Sequence, residues 1–404
     1  MHDIGIGLVA LGWMGRLHTR GYRALRERYP ELGVRPRLVV AAEASAAGRA
    51  DAVERFGFER AVAHYREVLA DPCVDVVSIC TPNYLHHEVA MAAVAAGKPF
   101  WIEKPMGVNA AQSREIARAA ETAGLVTGVG FNYRHQPAIQ HSRDLIRSGR
   151  LGRLTNARIW LLADYASSPE GPLTWRFSRE QGGAGVVGDL MSHGVDLANY
   201  LVGRVGSLTA MTDTFITDRP LPLEQGVGHS AVRLSHERGA VENEDHVAVL
   251  ARTDGGVVVT LEASRVAHGP RAEYVVEVYG TCGSLRWNYE APMHLQVHLA
   301  DADESGYTTI MVDTRHGDFG RFQPGPGNSM SFDDLKAIEA KLFVESVLTG
   351  TQLAPSAADA WAAAEADEAI IASAADGRWH TVPEVVGRTT FDAEPPTECL
   401  STRG

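Results

Sequence analysis

The 404 residues carry 38 Lys and Arg against 50 Asp and Glu, a formal charge of −12, with 22% charged and 45% hydrophobic residues. At about 150 residues per domain this length excludes a peptide or a lone binding module, and the composition excludes a wholly disordered chain. The net negative charge argues against nucleic acid and anionic membrane surfaces as partners.

From Ile4 to Gly130 short apolar runs alternate with amphipathic stretches of helical length, the rhythm of β-α-β units around a parallel sheet. Strands are expected at Ile4–Ala10, Leu38–Ala42, Val74–Cys80, Pro99–Glu103 and Val126–Gly130, with helices at Met14–Tyr29, Ala46–Phe56, Leu85–Ala96 and Ala111–Ala123. Beyond Leu151 the period changes to two. Strands are expected at Leu154–Ala163, Ser207–Thr217, His246–Arg252, Gly256–Ser264, Tyr274–Tyr279, Leu295–Leu299 and Thr308–Val312. Too little helix separates most of them for parallel crossovers, so an antiparallel sheet is predicted. Helices near Phe332–Leu348 and Ala357–Ala375 and a short strand at Trp379–Val382 close the chain, while 220–239 and 317–327 read as loops. The fold class is therefore α/β, with a doubly wound parallel sheet over 1–135, an α+β domain carrying a large open antiparallel sheet over 136–387, and a mobile tail over 388–404.

After the first strand comes Ala10-Leu11-Gly12-Trp13-Met14-Gly15, where a dinucleotide-binding turn belongs, although Ala10 replaces its first glycine. Gly12 lets the backbone approach a pyrophosphate and Gly15 lets the helix pack on the strand, whereas the exchange at Ala10 calls for a turn with ordinary backbone angles. Glu43 ends the second strand, 28 residues beyond Gly15 rather than the usual ~20. A carboxylate there bonds the ribose hydroxyls of NAD and repels the 2′-phosphate of NADP.

Two further strand ends carry Thr81-Pro82-Asn83 with His86 and Glu103-Lys104-Pro105, and later come Asn132-Tyr133-Arg134, Trp175-Arg176, Gly182–Gly185 and Asp189 to His193. In this order the set resembles the glucose-fructose oxidoreductase and inositol dehydrogenase family, Gfo/Idh/MocA. Within it the likeness is nearest to the branch that oxidises C3 of a pyranose such as levoglucosan. It rests on Glu54–Glu59, Phe131–Arg134, Leu173–Phe177 and Ala267-His268-Gly269. The resemblance implies a Rossmann domain followed by an open-faced domain, with NAD between them and a sugar or cyclic polyol against the nicotinamide. It implies cofactor contacts from Gly12, Trp13, Met14, Gly15, Glu43, Thr81, Pro82, Asn83, His86, Glu103, Lys104, Trp175 and Arg176.

Oxidation of a secondary alcohol needs a base for the hydroxyl proton and a donor for the developing alkoxide. Lys104 supplies a donor. Asp189, His193, Asp196 and Tyr200, spaced by four, three and four residues, line one helix face. The family pattern places the catalytic histidine at His193, with Asp189 holding substrate hydroxyls or tuning the proton path, while Tyr133, after the fifth strand, is expected to contact substrate or equally to sit in a domain interface. Lys104, Asp189 and His193 are the expected catalytic residues, and the roles of Asp196 and His268 stay open. An inositol dehydrogenase and a nucleotide-binding sensor are the alternatives, the latter disfavoured because a binder needs no base and donor together.

No metal is expected, since His86 and His87 diverge by about 100° on a helix and lack a third ligand. Cys73, Cys80, Cys282 and Cys399 form no C-x-x-C pair, so neither a zinc knuckle nor a disulfide framework is indicated and a reducing compartment fits. The N-terminal residues lack a signal-peptide pattern and no apolar run reaches membrane-spanning length, so a cytoplasmic protein with no membrane partner is expected. A broad open sheet needs covering, and a homo-oligomer, tetramer or dimer, is expected.

Overall fold

A computed structural model describes residues 2–224, 232–301 and 305–391. Its first sheet has six strands, β1 (His2–Val9), β2 (Val34–Ala42), β3 (Arg60–Val62), β4 (Val76–Ile79), β5 (Phe100–Ile102) and β6 (Thr127–Val129), in the order 3-2-1-4-5-6. All neighbours are parallel. Helices α1 (Trp13–Arg28), α2 (Ala46–Glu54), α3 (Tyr65–Leu69), α4 (Asn83–Ala95) and α5 (Ala110–Thr122) make the crossovers. This is the Rossmann order, and it puts the ends of β1, β4 and β5 at one carboxyl edge. The strands read clearly because both faces are buried, from Ile6 and Leu8 through Val76, Val77 and Ile79.

The nucleotide turn departs from expectation at Ala10. Its φ is +72°, so the turn keeps the left-handed angle and a side chain bears it, at a cost of about 1–2 kcal/mol. The amide of Ala10 still bonds Ala42 O at 2.9 Å, tying the turn to the end of β2. A Cβ on Gly15 would lie 2.1 Å from Ala10 O, whereas one on Gly12 would meet nothing within 4 Å. The two glycines therefore serve different ends, helix packing at Gly15 and an open face at Gly12.

After α6 (Pro137–Arg147) and β7 (Leu154–Leu162), a short α7 (Arg179–Gly182) leads into one turn of π-helix, Val187–Met191, which runs directly into α8 (Ser192–Val202). Then come β8 (Val205–Asp213), the pair β9 (Asp218–Pro222) and β10 (Leu234–Ala240), β11 (His246–Thr253), β12 (Val258–Ser264), β13 (Glu273–Gly280), β14 (Gly283–Asn288), β15 (His294–Leu299) and β16 (Thr308–Met311). The chain closes with α9 (Phe319–Phe322), α10 (Phe332–Thr349), α11 (Ala357–Asp376) and β17 (His380–Thr381). Nine of these strands form one sheet, ordered 16-15-14-13-7-12-11-8-17. It is antiparallel except at its centre, where β7 and β12 run parallel because α8 and the four strands β8 to β11 intervene between them. α8 packs on β7 and β12, and α11 packs on β8.

The structure corrects several loop expectations. The segment 220–239 holds most of the β9–β10 hairpin, with 225–231 outside the described residues, and 317–327 contains α9. The expected mobile tail is anchored where it is described. Thr390 N and Oγ1 bond Asp359 at 2.9 and 2.6 Å, Arg134 Nη1 bonds Thr390 Oγ1 at 2.6 Å, and Phe391 is buried. Residues 392–404 lie outside the described residues. α10 and α11 also return to the first sheet, packing on α1 and α5, so the last helices buttress both halves of the molecule. Cys73 and Cys80 are free thiols, while Cys282 is disulfide-bonded, which the scattered cysteine spacing did not indicate.

The contrast between the two glycines gives a direct test. Gly15→Ala should lower stability by about 1–3 kcal/mol through overpacking, while Gly12→Ala, at φ −65°, should melt like the wild type yet bind NADH more weakly. Thermal melts and NADH fluorescence titrations check both.

Candidate active site

The carboxyl edge of the first sheet faces the π-turn and α8, and here Lys104 meets Asp189. Lys104 Nζ donates to Asp189 Oδ1 at 2.8 Å and to the Asp189 backbone oxygen at 2.7 Å. An ammonium has three N–H donors, so one is left for a further acceptor. The lysine side chain is 16% exposed and the aspartate 33%: the pair is recessed, with the carboxylate more open. Tyr165, just past β7, donates its hydroxyl to Asp189 Oδ2 at 2.6 Å. Burial would raise the Asp189 pKa, but the charges of Lys104 and Arg176 and the hydrogen bonds from Lys104 and Tyr165 hold it well below the usual carboxylate range.

His193 begins the regular part of the helix one turn on. Tyr133 and Phe131 hold it edge-to-face, at centroid distances of 4.8 and 5.8 Å. Among the described residues neither ring nitrogen has a hydrogen-bond partner. Burial and the nearby Lys104 charge push its pKa well below 6.5, so the ring is neutral at physiological pH and able to accept a proton. Tyr133 also meets Tyr274 and Tyr289 at 5.2 and 5.1 Å, and those two rings stack on each other. This aromatic wall rises beside His193. Tyr274, Tyr289 and Tyr165 were not singled out in the sequence, where a tyrosine on a half-buried strand or turn has no distinguishing neighbour.

The polar stripe of four residues is real, but each member meets a different partner. Asp189 sits in the π-turn, which the even spacing concealed, and turns to Lys104. Asp196 accepts from the buried Arg134 Nε at 2.7 Å, with a second bond to Nη2. Tyr200 lies under the Arg143 guanidinium, 3.7 Å from its ring centroid. Asp196 is thus part of the lock formed by Arg134, Asp359 and Thr390. His268 is exposed in its turn.

The residues around the turn fit a dinucleotide. Glu43 Oε2 accepts the Leu11 N–H at 3.0 Å, which fixes the carboxylate against the turn, and Arg49 is directed to the Glu43 and Ala44 carbonyls. Among the described residues Thr81 Oγ1 is buried with no partner just past the end of β4, a hydroxyl free for a ligand at the edge where ligands bind. Trp13 is 47% exposed and stacks on Phe332; Met14, beside it, is half-buried, and Pro82 caps α4. Trp175 lies under its neighbour Arg176, 4.4 Å from the guanidinium carbon. Asn83 Nδ2 reaches across to Gly182 O at 3.0 Å and so joins the two halves.

The side chains of two residues expected at the cofactor bond to the scaffold. The buried His86 ring spans Thr81 O and Pro105 O, each at 2.8 Å, and clamps the two loops together. Glu103 turns inward, its Oε1 accepting from Lys336 Nζ at 2.7 Å and meeting His18 Nε2 at 2.9 Å. Lys336 also pairs with Glu339 at 2.8 Å. Burial pushes the Glu103 carboxyl up, yet Lys336 and His18 overcome this and keep it well below its ordinary value. His18, neutral with a pKa lowered by burial to about 4, stacks on Trp101 at 3.4 Å and meets Ser78. Two further expectations concern metals and membranes. His87 pairs with Glu115 at 2.8 Å, and among the described residues no group of three or more His, Cys, Asp or Glu side chains could hold a metal ion. No helix there is long and apolar enough to cross a membrane.

A Rossmann sheet whose carboxyl edge presents a lysine to an aspartate and a neutral histidine from a second, open-sheet domain defines an NAD-binding oxidoreductase. Residues 4–131 match the oxidoreductase family with an NAD-binding Rossmann fold and residues 139–286 match the GFO/IDH/MocA C-terminal domain, and the chain belongs to this family. It is similar to levoglucosan dehydrogenase of Pseudarthrobacter phenanthrenivorans, with 35% identity over 388 residues, 95% of this chain and 100% of the relative. A solved structure of levoglucosan dehydrogenase with NADH and levoglucosan superposes with a TM-score of 0.89 at 34% identity, covering 95% of this chain and 100% of that one. Inositol 2-dehydrogenase of Rhizobium meliloti is 24% identical over 379 residues, 93% of this chain and 98% of the relative.

The buried ion cluster behind Lys104 sets a stability prediction. Lys336→Met leaves Glu103 and Glu339 without their cation and should cost about 3–5 kcal/mol. Urea denaturation checks this; a cost below 1 kcal/mol would mean the cluster does not anchor β5.

Proposed function

We propose that this chain oxidises the C3 hydroxyl of a pyranose or anhydrosugar, with levoglucosan as the model substrate, to the corresponding ketone with NAD as acceptor. The observation that carries the reading is the Lys104–Asp189 pair beside the unpartnered, neutral His193 at the carboxyl edge of the NAD-binding sheet. When bound, the nicotinamide accepts hydride from the carbinol carbon. Lys104 directs its third N–H to the reacting oxygen and holds the charge that develops there. His193 takes the hydroxyl proton, and the carboxylate of Asp189 orients Lys104 while its exposed edge accepts from a neighbouring sugar hydroxyl. The faces of Tyr133, Tyr274 and Tyr289 suit the apolar C–H surface of a sugar ring.

Residues 1–135 act as the NAD-binding domain in this reading and 136–387 as the substrate and assembly domain. Gly12, Gly15, Glu43, Thr81, Trp175 and Arg176 surround the cofactor, and Glu43 favours NAD over NADP by repelling a 2′-phosphate. Met211, Leu250 and Val258 stand 77%, 52% and 41% exposed on one face of the large sheet. That apolar face supports a homo-oligomer, dimer or tetramer. NAD dependence favours the cytoplasm, while the disulfide at Cys282 is unusual for a reducing compartment.

A panel of sugars, glycosides and inositols, assayed for NADH formation with the product read by NMR, tests the proposal. A 3-keto sugar is the expected product. Activity confined to myo- or scyllo-inositol would overturn the sugar assignment, and NAD binding without turnover would point to a sensor.

The proton assignment has its own readout. Because burial depresses the His193 pKa, the acid limb of the kcat/KM profile should lie below the 6.5 of an ordinary imidazole. His193→Ala should remove that limb and lower kcat by about 10²–10⁴. An unshifted limb in the variant would assign the base elsewhere.

A further inference from the structure

We propose that Tyr165 is a positioning residue for this reaction: its hydroxyl fixes the plane of the Asp189 carboxylate, and through it the aim of Lys104. The inference rests on the roles given above to Lys104 and Asp189. Among the described residues both protein bonds of the Lys104 ammonium end on one residue, at Asp189 O and Oδ1. The long lysine stem has high rotamer freedom, so wherever the Asp189 carboxylate turns, the ammonium turns with it. An aspartate's terminal torsion is broad and nearly two-fold. Held through Oδ1 alone the carboxylate would rock, but the 2.6 Å bond from Tyr165 to Oδ2 holds both oxygens at once.

Tyr165 is fit to be the fixed end of this chain. Its turn is fastened to the end of β12 and just beyond it, through Ala163 N to Ser264 O at 2.9 Å and Ala166 N to Arg265 O at 3.0 Å. Arg265 is itself buried and paired with Asp245 at 2.8 Å. Burial and the Asp189 charge push the phenol pKa well above 10, so the hydroxyl stays a donor. The support therefore runs from Arg265 through the Tyr165 turn to Asp189 and Lys104, entering the site opposite the Lys336 cluster that backs β5.

The test is a double-mutant cycle of Tyr165→Phe and Asp189→Asn, using whichever sugar or inositol the wild type oxidises best, unlabelled and deuterated at the reacting carbon. Phenylalanine keeps the ring packed against the core and removes only the hydroxyl. Tyr165→Phe should lower kcat about 10- to 100-fold, the scale of a small misplacement of reacting groups. KM should stay within about threefold, NADH affinity should be unchanged, and the deuterium effect on kcat should rise as chemistry becomes limiting. In the Asp189→Asn background the same change should add nothing. Multiplying effects, or a raised KM at constant kcat, would overturn the proposal, the latter making Tyr165 a plain sugar contact. A crystal structure of Tyr165→Phe decides independently of turnover: Asp189 Oδ1 should leave hydrogen-bond range of Lys104 Nζ, and an unmoved pair refutes the proposal. If the wild type turned over nothing on the panel, the substrate reading alone would fail.

Discussion

The bond between Lys104 and Asp189 is where the two halves of the molecule become one site. Lys104 stands at the carboxyl edge of a parallel sheet, and Asp189 stands on a π-turn at the head of the helix that covers an open sheet. Neither half can place an ammonium, a carboxylate and a neutral imidazole around one point alone. Two like-signed halves would repel across the cleft, while the opposite charges supply attraction and direction in a space partly closed to water. The π-turn belongs to this constraint. It widens one turn just before the regular helix, so that Asp189 meets Lys104 while His193, on the next turn, meets Tyr133 and Phe131.

Much of the remaining structure holds that bond in place. On the first domain's side, Glu103 is gripped by Lys336 from α10 and by His18 from α1, so the residue immediately before Lys104 cannot shift without exposing a buried charge. His86 ties the Thr81 and Pro105 loops together. On the second domain's side, Arg134 grips Asp196 and Asp359, locking α8 to α11 and to Thr390. A site whose geometry matters to a fraction of an ångström is thus surrounded by residues already committed to one another.

The parallel strands other than β3 were legible because burial on both faces makes them continuous apolar runs, and the convergence of Lys104, Asp189, His193 and Tyr133 on one edge was legible because each sits in a motif with recognisable neighbours. β3 escaped notice as a three-residue strand beginning with Arg60, β9 because Pro220 and Pro222 read as loop, and β10 because most of its residues are polar or exposed. The strain at Ala10 was invisible for a different reason, since a missing glycine does not reveal whether the backbone angle changed with it. Glu103 and His86 lie within the expected motifs, yet their partners are Lys336, 233 residues distant from Glu103, and two backbone carbonyls. Contacts of that separation leave no local pattern, and Lys336 and Tyr165 could be found only from the fold.

In the proposed reaction one ammonium, aimed by Asp189, stabilises the oxygen from which the proton departs. Single-turnover hydride transfer in Lys104→Met, followed by stopped flow with NAD saturating, tests it most directly. NADH binding should stay within a few-fold of wild type and hydride transfer should slow by about three orders of magnitude or more, the scale of a lost preorganised donor to a developing oxyanion. Hydride transfer within tenfold of wild type, in a variant that melts normally, would contradict it.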